Sequence, residues 1–255
     1  MDLRVKHLHV GLVGLPGHGK DLFVQGLFTA NNMIHKELTQ AEIEKGLSRP
    51  FAKVIRLSLA DRLREVATWI SNEEMGLSMH HPSKDMPVEY RGSQLAFTRR
   101  EWMIELGKFI EKKISSEWVK ERTEADLQNQ LDQIVYDLEW TTEPGVNPEE
   151  SLQKALDNRL PELFITPDLR QEHQFDWVAG KPNGLVLKIT DEQAPKRTVK
   201  KIDKLLINKP VVMTIPRSSF CVFTEAQGRK VVHFNFPFLK DLLVQIKELG
   251  TKTPE

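Results

Sequence analysis

The sequence predicts an α/β fold in which a mainly parallel sheet carries helices on both faces. Apolar runs of strand length alternate along the 255 residues with segments whose apolar residues repeat at helical spacing. A glycine-rich turn joins the first strand to the first helix, and a later strand ends in Asp168. Ligands of such sheets bind beyond the carboxyl ends of the strands, and both features lie at such ends.

The amino-terminal part supplies two predicted strand–helix pairs. Residues 6–13 are apolar enough for a buried strand, and the segment after the glycines has helical spacing. Residues 52–59 predict a second strand, and residues 60–70 predict the helix that follows it. Residues 76–90 contain two prolines and no period, so we expect a loop there.

The middle of the chain is predicted to be helical. Residues 98–114 place apolar side chains on one side of a helix, and Ser116 is a suitable cap for a second helix after it. Residues 141–150 break this pattern. We expect one domain over residues 1–255, with a helical insert at about 98–158.

The carboxyl-terminal part alternates again between strand and helix. Strands are predicted over residues 161–168 and 184–190, with a short helix between them, and a closing helix runs from about Phe238 to Leu249. Further β-like segments occupy residues 209–215, 219–223 and 230–236. The predicted sheet therefore takes strands from both ends of the chain.

Composition and charge exclude several classes of function. Basic and acidic residues number 36 each, so the chain lacks the positive field with which duplex-binding proteins attract phosphates, and we expect no strong nucleic-acid binding. The single cysteine, Cys221, excludes an internal disulfide and is interpreted as a small buried apolar residue. No apolar run has the length of a membrane span, and the amino terminus does not resemble a cleavable signal, so we expect no membrane partner and a cytoplasmic location.

The stretch GLPGHGKD, residues 14–21, carries the strongest chemical signal. Its glycines and lysine fit the pattern G-x-x-x-x-G-K, in which backbone N–H groups wrap phosphates and the lysine reaches the terminal ones. The stretch lies between a predicted strand and a predicted helix, the context that this pattern requires. The alternative is a glycine-rich turn of another doubly wound fold, with the lysine in solvent. The predicted nucleotide-binding residues are Gly14, Gly17, His18, Gly19, Lys20, Asp21 and Leu22.

Asp21 stands where a Ser or Thr hydroxyl usually coordinates Mg²⁺. Its carboxylate could ligate the ion directly, hold it through water, or act only as an acid in the first turn of the helix. The sequence leaves these three roles open.

Other charged residues suit phosphate chemistry. Asp168 follows a predicted strand, where a carboxylate can orient a substrate hydroxyl or a metal-bound water, and Arg170 offers a bidentate fork to a phosphate. The alternative is a strand-end ion pair without a substrate. Arg99 and Arg100 begin a predicted helix, where they could share an anion with its amides or form a solvated pair. A basic run lies in the segment 191–204, which is either a lid over the donor phosphates or a solvated face.

Four segments resemble the bacteriophage deoxynucleoside monophosphate kinases, a branch of the P-loop kinases. They are GLPGHGKD, in which Asp follows Gly-Lys; TRREWMIELG, similar to T-x-R-x5-L-G; EWVK, with a tryptophan after that helix; and TPDLRQEHQFD, similar to P-D-x-R-Q-x-H-x-x-D. They span residues 14–176 in the family's order, whereas the tail after about residue 190 matches only in outline. The resemblance implies a three-layer P-loop kinase fold.

The same resemblance implies that the chain transfers the γ-phosphoryl of ATP, with Mg²⁺, to a deoxynucleoside monophosphate for phage DNA precursor synthesis in the host cytoplasm. It implies that Lys20 binds the donor phosphates and that Arg100 and Arg170 bind the acceptor phosphate. Lys20, Asp168 and Arg170 are the implied catalytic residues. The implied acceptor-binding residues are Arg100, Gly107, Trp118, Asp168, Arg170 and Gln174.

The chain departs from the family at Ile104 and Gln174, where members often have glutamine and glutamate, so we expect base or sugar recognition to differ. One alternative is a P-loop kinase that acts on a modified nucleotide or on a hydroxymethyl base in DNA. Another is a nucleotide-gated interaction protein that docks through the polar helical segment 116–139. That segment equally suits a solvated helix pair or a homodimer contact.

Overall fold

The structure is a computed structural model that describes residues 5–15, 17–39, 48–71, 87–90, 93–139, 148–192, 206, 208–226 and 228–251. The chain divides into two compact units, one formed by Met1–Leu57 with Asn129–Glu255 and the other by Ser58–Gln128. We call them the sheet unit and the helical unit. In chain order the elements are β1 (His7–Val13), α1 (Lys20–Glu37), β2 (Val54–Arg56), α2 (Leu59–Ser71), β3 (Pro87–Tyr90), β4 (Ser93–Thr98), α3 (Arg99–Lys113), α4 (Trp118–Glu139), α5 (Pro148–Asn158), β5 (Glu162–Thr166), α6 (Glu172–Ala179), β6 (Gly184–Thr190), β7 (Met213–Pro216), α7 (Arg217–Phe220), β8 (Cys221–Ala226), β9 (Arg229–Phe234) and α8 (Phe236–Thr251).

The sheet unit is built on five parallel strands in the order β2-β5-β1-β6-β7. Strand β1 lies in the middle, and its Val10 pairs with Ile165 of β5 on one side and Leu185 of β6 on the other. Because all five strands run in the same direction, their carboxyl ends meet along one edge, which we call the carboxyl edge. The predicted parallel α/β sheet is confirmed.

Helices cover both faces of this sheet because side chains along a strand alternate between its faces. On one face, Leu8, Val10 and Leu12 of β1 belong to a core cluster that also contains buried side chains of α1 and α8. On the other face, the ring of His9 packs edge-on against Trp177 of α6, with the ring centroids 4.9 Å apart. The core of this unit thus lies between the sheet and its two helical layers.

The helical unit has its own smaller core. Ala67 of α2 clusters with three buried residues of α3, and Trp118 at the start of α4 packs against them. Arg62 of α2 donates from Nε to both carboxylate oxygens of Asp126 in α4, at 3.0 and 2.8 Å, which ties those two helices together. Helix α3 begins at a capping box, in which Thr98 Oγ1 accepts from Glu101 N and Glu101 Oε2 accepts from Thr98 N.

Two predicted segments differ from the structure. The loop expected over 76–90 is wrong at its end, because Pro87–Tyr90 pairs antiparallel with Ser93–Thr98; residues 76–86 lie outside the described residues. The segment 219–223 is only partly a strand, because Phe220 ends the helical turn α7, which sets its ring in the main core cluster. Cys221, the first residue of β8, is buried as predicted.

The remaining predicted elements are present, most of them with shifted ends. The break expected over 141–150 is wrong at its end, because a helix begins at Pro148; residues 141–147 lie outside the described residues. The second strand is shorter than expected, at Val54–Arg56, and the closing helix is longer, at Phe236–Thr251. Ser115 rather than Ser116 accepts from Glu117 N, at 3.1 Å, just before α4. Within the described part of the chain, no helix has the length and apolar character needed to cross a membrane.

Candidate functional site

The stretch Gly14–Asp21, of which Pro16 lies outside the described residues, joins β1 to the first two residues of α1 at the carboxyl edge. The turn before the helix, from Gly14 to Gly19, needs glycine at both of its ends. A Cβ on Gly14 would lie 2.4 Å from the carbonyl oxygen of Ile189, so the turn packs directly on the end of β6. Gly19 caps α1 with a φ of +84°, in the left-handed region that a side chain disfavours. The sequence therefore folds here into a tight turn that presents the amino end of a helix.

Lys20 folds back over this turn. Its Nζ donates to the carbonyl oxygens of Gly14 and Leu15, at 2.8 and 3.2 Å. The ammonium group is therefore held above the loop beside the amino end of α1, where the helix dipole adds positive potential. Phosphate oxygens that entered the loop would find a cation already in place.

His18 fastens the turn to the neighbouring strand. Its Nδ1 lies 3.0 Å from the carbonyl oxygen of Ile189, so this nitrogen carries the hydrogen and donates it. The histidine thus contributes to the shape of the turn through its side chain. Leu22, also predicted as a nucleotide-binding residue, packs its side chain against the core cluster.

Asp21 forms an ion pair that the sequence did not reveal. Its Oδ1 lies 3.3 Å from Nη2 of Arg56, the last residue of β2. The two side chains are 41% and 30% exposed, so the pair lies at the surface of the carboxyl edge. The available signal in the sequence was an arginine directly at the end of an apolar strand.

Asp168 and Arg170 follow β5 on the same edge. The side chain of Asp168 is 17% exposed and that of Arg170 is 69% exposed, and Oδ1 of the aspartate lies 3.7 Å from Nη2 of the arginine. The guanidinium is thus open to an incoming anion, while the carboxylate beside it is largely sheltered. Both outcomes foreseen for this segment, a substrate site and a strand-end ion pair, fit this geometry.

Gln174, which was predicted to bind substrate, is buried, and its side chain forms hydrogen bonds with the backbone of this segment. Its Oε1 accepts from the backbone N–H groups of Arg170 and Gln171, at 2.9 and 3.1 Å. The side chain closes a capping box at the start of α6. It therefore fixes the main chain that carries the Arg170 guanidinium.

A buried histidine lies beneath the same strand end. Nε2 of His9 is 2.8 Å from Oγ1 of Thr166, the last residue of β5. Burial, followed by the charges of Lys181 and His7, lowers the pKa of His9 from 6.5 to about 3. The imidazole is neutral at physiological pH, so it links β1 to β5 without placing a charge in the core.

A second ion pair flanks the turn on its other side, and it was not predicted from the sequence either. Asp191, just after β6, has a side chain only 5% exposed, and its Oδ2 lies 2.6 Å from Nη1 of Arg217, the residue directly after β7. The guanidinium stacks 4.7 Å from the ring centre of Phe223. The aliphatic part of Arg217 passes close to Gly19, since a Cβ on that glycine would lie 3.1 Å from Cδ of the arginine.

Every strand of the parallel sheet thus ends in a charged group or in the glycine turn. In spatial order these are Arg56 at the end of β2, Asp168 and Arg170 after β5, the Gly14–Asp21 turn after β1, Asp191 after β6 and Arg217 after β7. Such an edge combines backbone N–H groups, cations and carboxylates within one unit of the chain. It can bind phosphates and orient the groups attached to them.

The other predicted acceptor residues belong to the helical unit. Arg100 is half-buried in the first turn of α3. A Cβ on Gly107 would lie 3.3 Å from Cδ2 of Leu63, so this glycine permits α2 and α3 to approach closely. Trp118 packs on the core of the unit and lies 5.9 Å from the guanidinium of Arg122. Of the predicted lid, residues 191 and 192 are described and residues 193–204 lie outside the described part.

A scan of the sequence against protein-family models gives no match, and a search of curated proteins gives none either. We therefore base the proposed function on residue chemistry, on the geometry of the carboxyl edge and on the four segments that resemble the phage kinases.

Proposed function

We propose that this protein is a P-loop kinase that transfers the γ-phosphoryl group of ATP to a deoxynucleoside monophosphate, giving ADP and a deoxynucleoside diphosphate. The observation that carries the proposal is the Gly14–Asp21 turn, in which the Lys20 ammonium lies over a loop between the central strand and a helix. The arginine and aspartate after β5, on the same edge, supply the groups that an acceptor requires.

The donor phosphates bind to the turn. Its backbone N–H groups and the amino end of α1 bind the phosphate oxygens, and Lys20 moves its hydrogen bonds from the carbonyls of Gly14 and Leu15 to them. Asp21 fits a magnesium site, because its carboxylate is 41% exposed at the amino end of the helix, and Mg²⁺ in nucleotide sites takes one or two carboxylates with waters and phosphates. When bound, the ion neutralises charge on the phosphates.

The acceptor phosphate binds to Arg170, whose exposed guanidinium can form two parallel hydrogen bonds with it. Asp168 orients the acceptor nucleoside through a hydroxyl. The resemblance to the phage kinases implies that Arg100, Gly107 and Trp118 also bind the acceptor.

The transfer requires alignment more than covalent participation of the protein. An oxygen of the acceptor phosphate attacks the γ-phosphorus, the bond from that phosphorus to the β–γ bridging oxygen breaks, and ADP takes the electron pair. A phosphate oxygen needs no strong general base, so Lys20 and Arg170 serve by neutralising and positioning charge. We infer that this protein, like members of the family it resembles, serves phage DNA precursor synthesis in the host cytoplasm.

A substrate panel tests the proposal. Formation of ADP from ATP and Mg²⁺ is measured with each deoxy- and ribonucleoside monophosphate in turn. We expect at least one deoxynucleotide to stimulate ADP formation strongly, and Lys20→Ala to lose most of that rate, while Lys36→Ala, at the far end of the same helix, retains it.

Two results would contradict this function. ADP formation that no free monophosphate stimulates would favour a kinase of a modified nucleotide or of a base within DNA. ATP binding without any phosphoryl transfer would favour the nucleotide-gated interaction protein.

A further inference from the structure

The ion pair between Asp21 and Arg56 lies on the face of the sheet that α1 covers. Val54, two residues before Arg56 in β2, belongs to the core cluster that includes Phe23 and Leu27 of α1. Because side chains two residues apart share a face of a strand, Arg56 projects towards the same helix. It meets the first turn of that helix at Asp21, with 3.3 Å between Nη2 and Oδ1.

The position of Asp21 is electrostatically unfavourable for a loop that binds phosphates. A carboxylate in the residue after Lys20 places a negative charge beside the amino end of α1, where the phosphates of a nucleotide would enter. Like charges repel each other, and the repulsion is larger at a protein surface than in bulk water. A cation beside the carboxylate reduces this repulsion.

We propose that Arg56 is a positioning residue whose role is to neutralise Asp21, so that the glycine turn can accept the phosphates of a nucleotide. Arg56 is supplied by the end of the edge strand β2, far from the turn in sequence, and reaches it only through the fold. The inference rests on the nucleotide-binding half of the proposed function and does not depend on the identity of the acceptor.

The test measures binding of ADP and of tripolyphosphate by titration calorimetry in excess EDTA, so that no metal contributes. We expect Arg56→Gln to weaken both ligands about tenfold and Arg56→Lys to keep most of the affinity, because it keeps the charge. Since EDTA removes any metal that the carboxylate could hold, Asp21→Asn loses only a negative charge beside the turn, and we expect it to bind both ligands at least as well as the wild-type protein.

The double variant distinguishes neutralisation from direct contact. If Arg56 acts through Asp21, then Arg56→Gln costs little affinity once Asp21→Asn has removed the carboxylate. An equal loss of affinity in both backgrounds would overturn the proposal, and so would an unchanged affinity in Arg56→Gln alone.

A matched control lies on the same helix. Lys240 pairs with Glu37 in the last turn of α1, about 24 Å from Asp21 along the helix axis. Lys240→Gln removes a cation and an ion pair in the same way, and should leave ligand affinity unchanged. A loss in this control equal to that in Arg56→Gln, at equal melting temperatures, would show a general effect of charge and contradict the proposal.

The result is separable from the proposed function. A wild-type protein that binds ADP with the predicted dependence on Arg56, but transfers phosphate to no monophosphate, would retain this inference and lose the kinase assignment. A wild-type protein that transfers phosphate to a monophosphate, while Arg56→Gln binds ADP with unchanged affinity, would retain the kinase assignment and lose this inference.

Discussion

Gly19 is the residue on which the shape of the phosphate turn most depends. Its φ is +84°, and a Cβ there would lie 3.1 Å from Cδ of Arg217. Gly19→Ala should therefore lower the free energy of unfolding by about 1–2 kcal/mol through backbone strain, and should also displace the arginine from the turn and weaken ADP binding. Urea unfolding and calorimetry measure the two effects.

Gly228 provides the control for strain alone. It has a φ of +70° in the turn between β8 and β9, and a Cβ there would meet no atom within 4 Å. Gly228→Ala should cost about 1 kcal/mol of stability without changing ADP affinity. If Gly19→Ala bound ADP as well as Gly228→Ala does, the turn would not be the binding element.

His9 gives the protein a pH-dependent stability. Its pKa is about 3 in the folded protein and about 6.5 in the unfolded chain, so below pH 6.5 the unfolded chain binds the additional proton. The free energy of unfolding should therefore fall as the pH decreases from about 6.5 to about 3, by a few kcal/mol from this group.

The variant His9→Gln removes the titration and can keep a hydrogen bond to Thr166. Its urea unfolding should vary less with pH over this range than that of the wild-type protein. His233→Gln is the matched control, because that imidazole is exposed on β9. Equal pH slopes for His9→Gln and the wild-type protein would contradict the assignment of a buried neutral histidine.

Among the elements, helix α3 depends on its capping box. Thr98 Oγ1 accepts from Glu101 N at 3.2 Å, and the backbone N–H of Thr98, then its hydroxyl, hold the pKa of Glu101 below its ordinary value. Thr98→Ala should lower stability by about 1 kcal/mol and raise the KM for the acceptor, since Arg100, which we propose as an acceptor-binding residue, lies in the first turn of this helix. Thr98→Ser should behave as the wild-type protein, and equal KM values for both variants would show that this helix start does not serve the acceptor.

Elements with local signals were predictable from the sequence, and those set by distant contacts were not. Strand β6 occupies Gly184–Thr190 as its apolar run indicated, and α1 begins directly after the glycine turn. The strand Pro87–Tyr90 was missed because it exists through pairing with Ser93–Thr98, which leaves no apolar period in its own residues.

The site divides in the same way. The glycine turn has a sequence pattern because backbone shape and phosphate contact act on adjacent residues. The pairs Asp21–Arg56 and Asp191–Arg217 join residues 35 and 26 positions apart, and they meet only because parallel strands bring their ends together. Gln174 was predicted at the site, but the fold alone showed that its side chain caps the backbone of Arg170.

The molecule as a whole carries no net charge, but its cations are concentrated at one edge of the parallel sheet. The chain has 36 basic and 36 acidic residues, yet the carboxyl edge gathers cations from four of the five strand ends or their turns: Arg56, Arg170, Lys20 and Arg217. Two of these, Arg56 and Arg217, pair with carboxylates beside the glycine turn, which limits the repulsion among cations when no phosphate is bound. This arrangement suits reversible binding of a ligand with several negative charges at the carboxyl edge.

We propose that the glycine turn binds a donor whose terminal phosphoryl group moves to a monophosphate, and this transfer can be followed directly. Phosphorus NMR of a mixture of ATP, Mg²⁺, the protein and the preferred deoxynucleoside monophosphate follows each phosphorus atom directly. We expect that the γ-phosphorus signal of ATP decreases as a β-phosphorus signal of a deoxynucleoside diphosphate appears in equal amount, and that Lys20→Ala abolishes both changes. Conversion of the γ-phosphoryl group to inorganic phosphate alone, or no change in any signal, would contradict it.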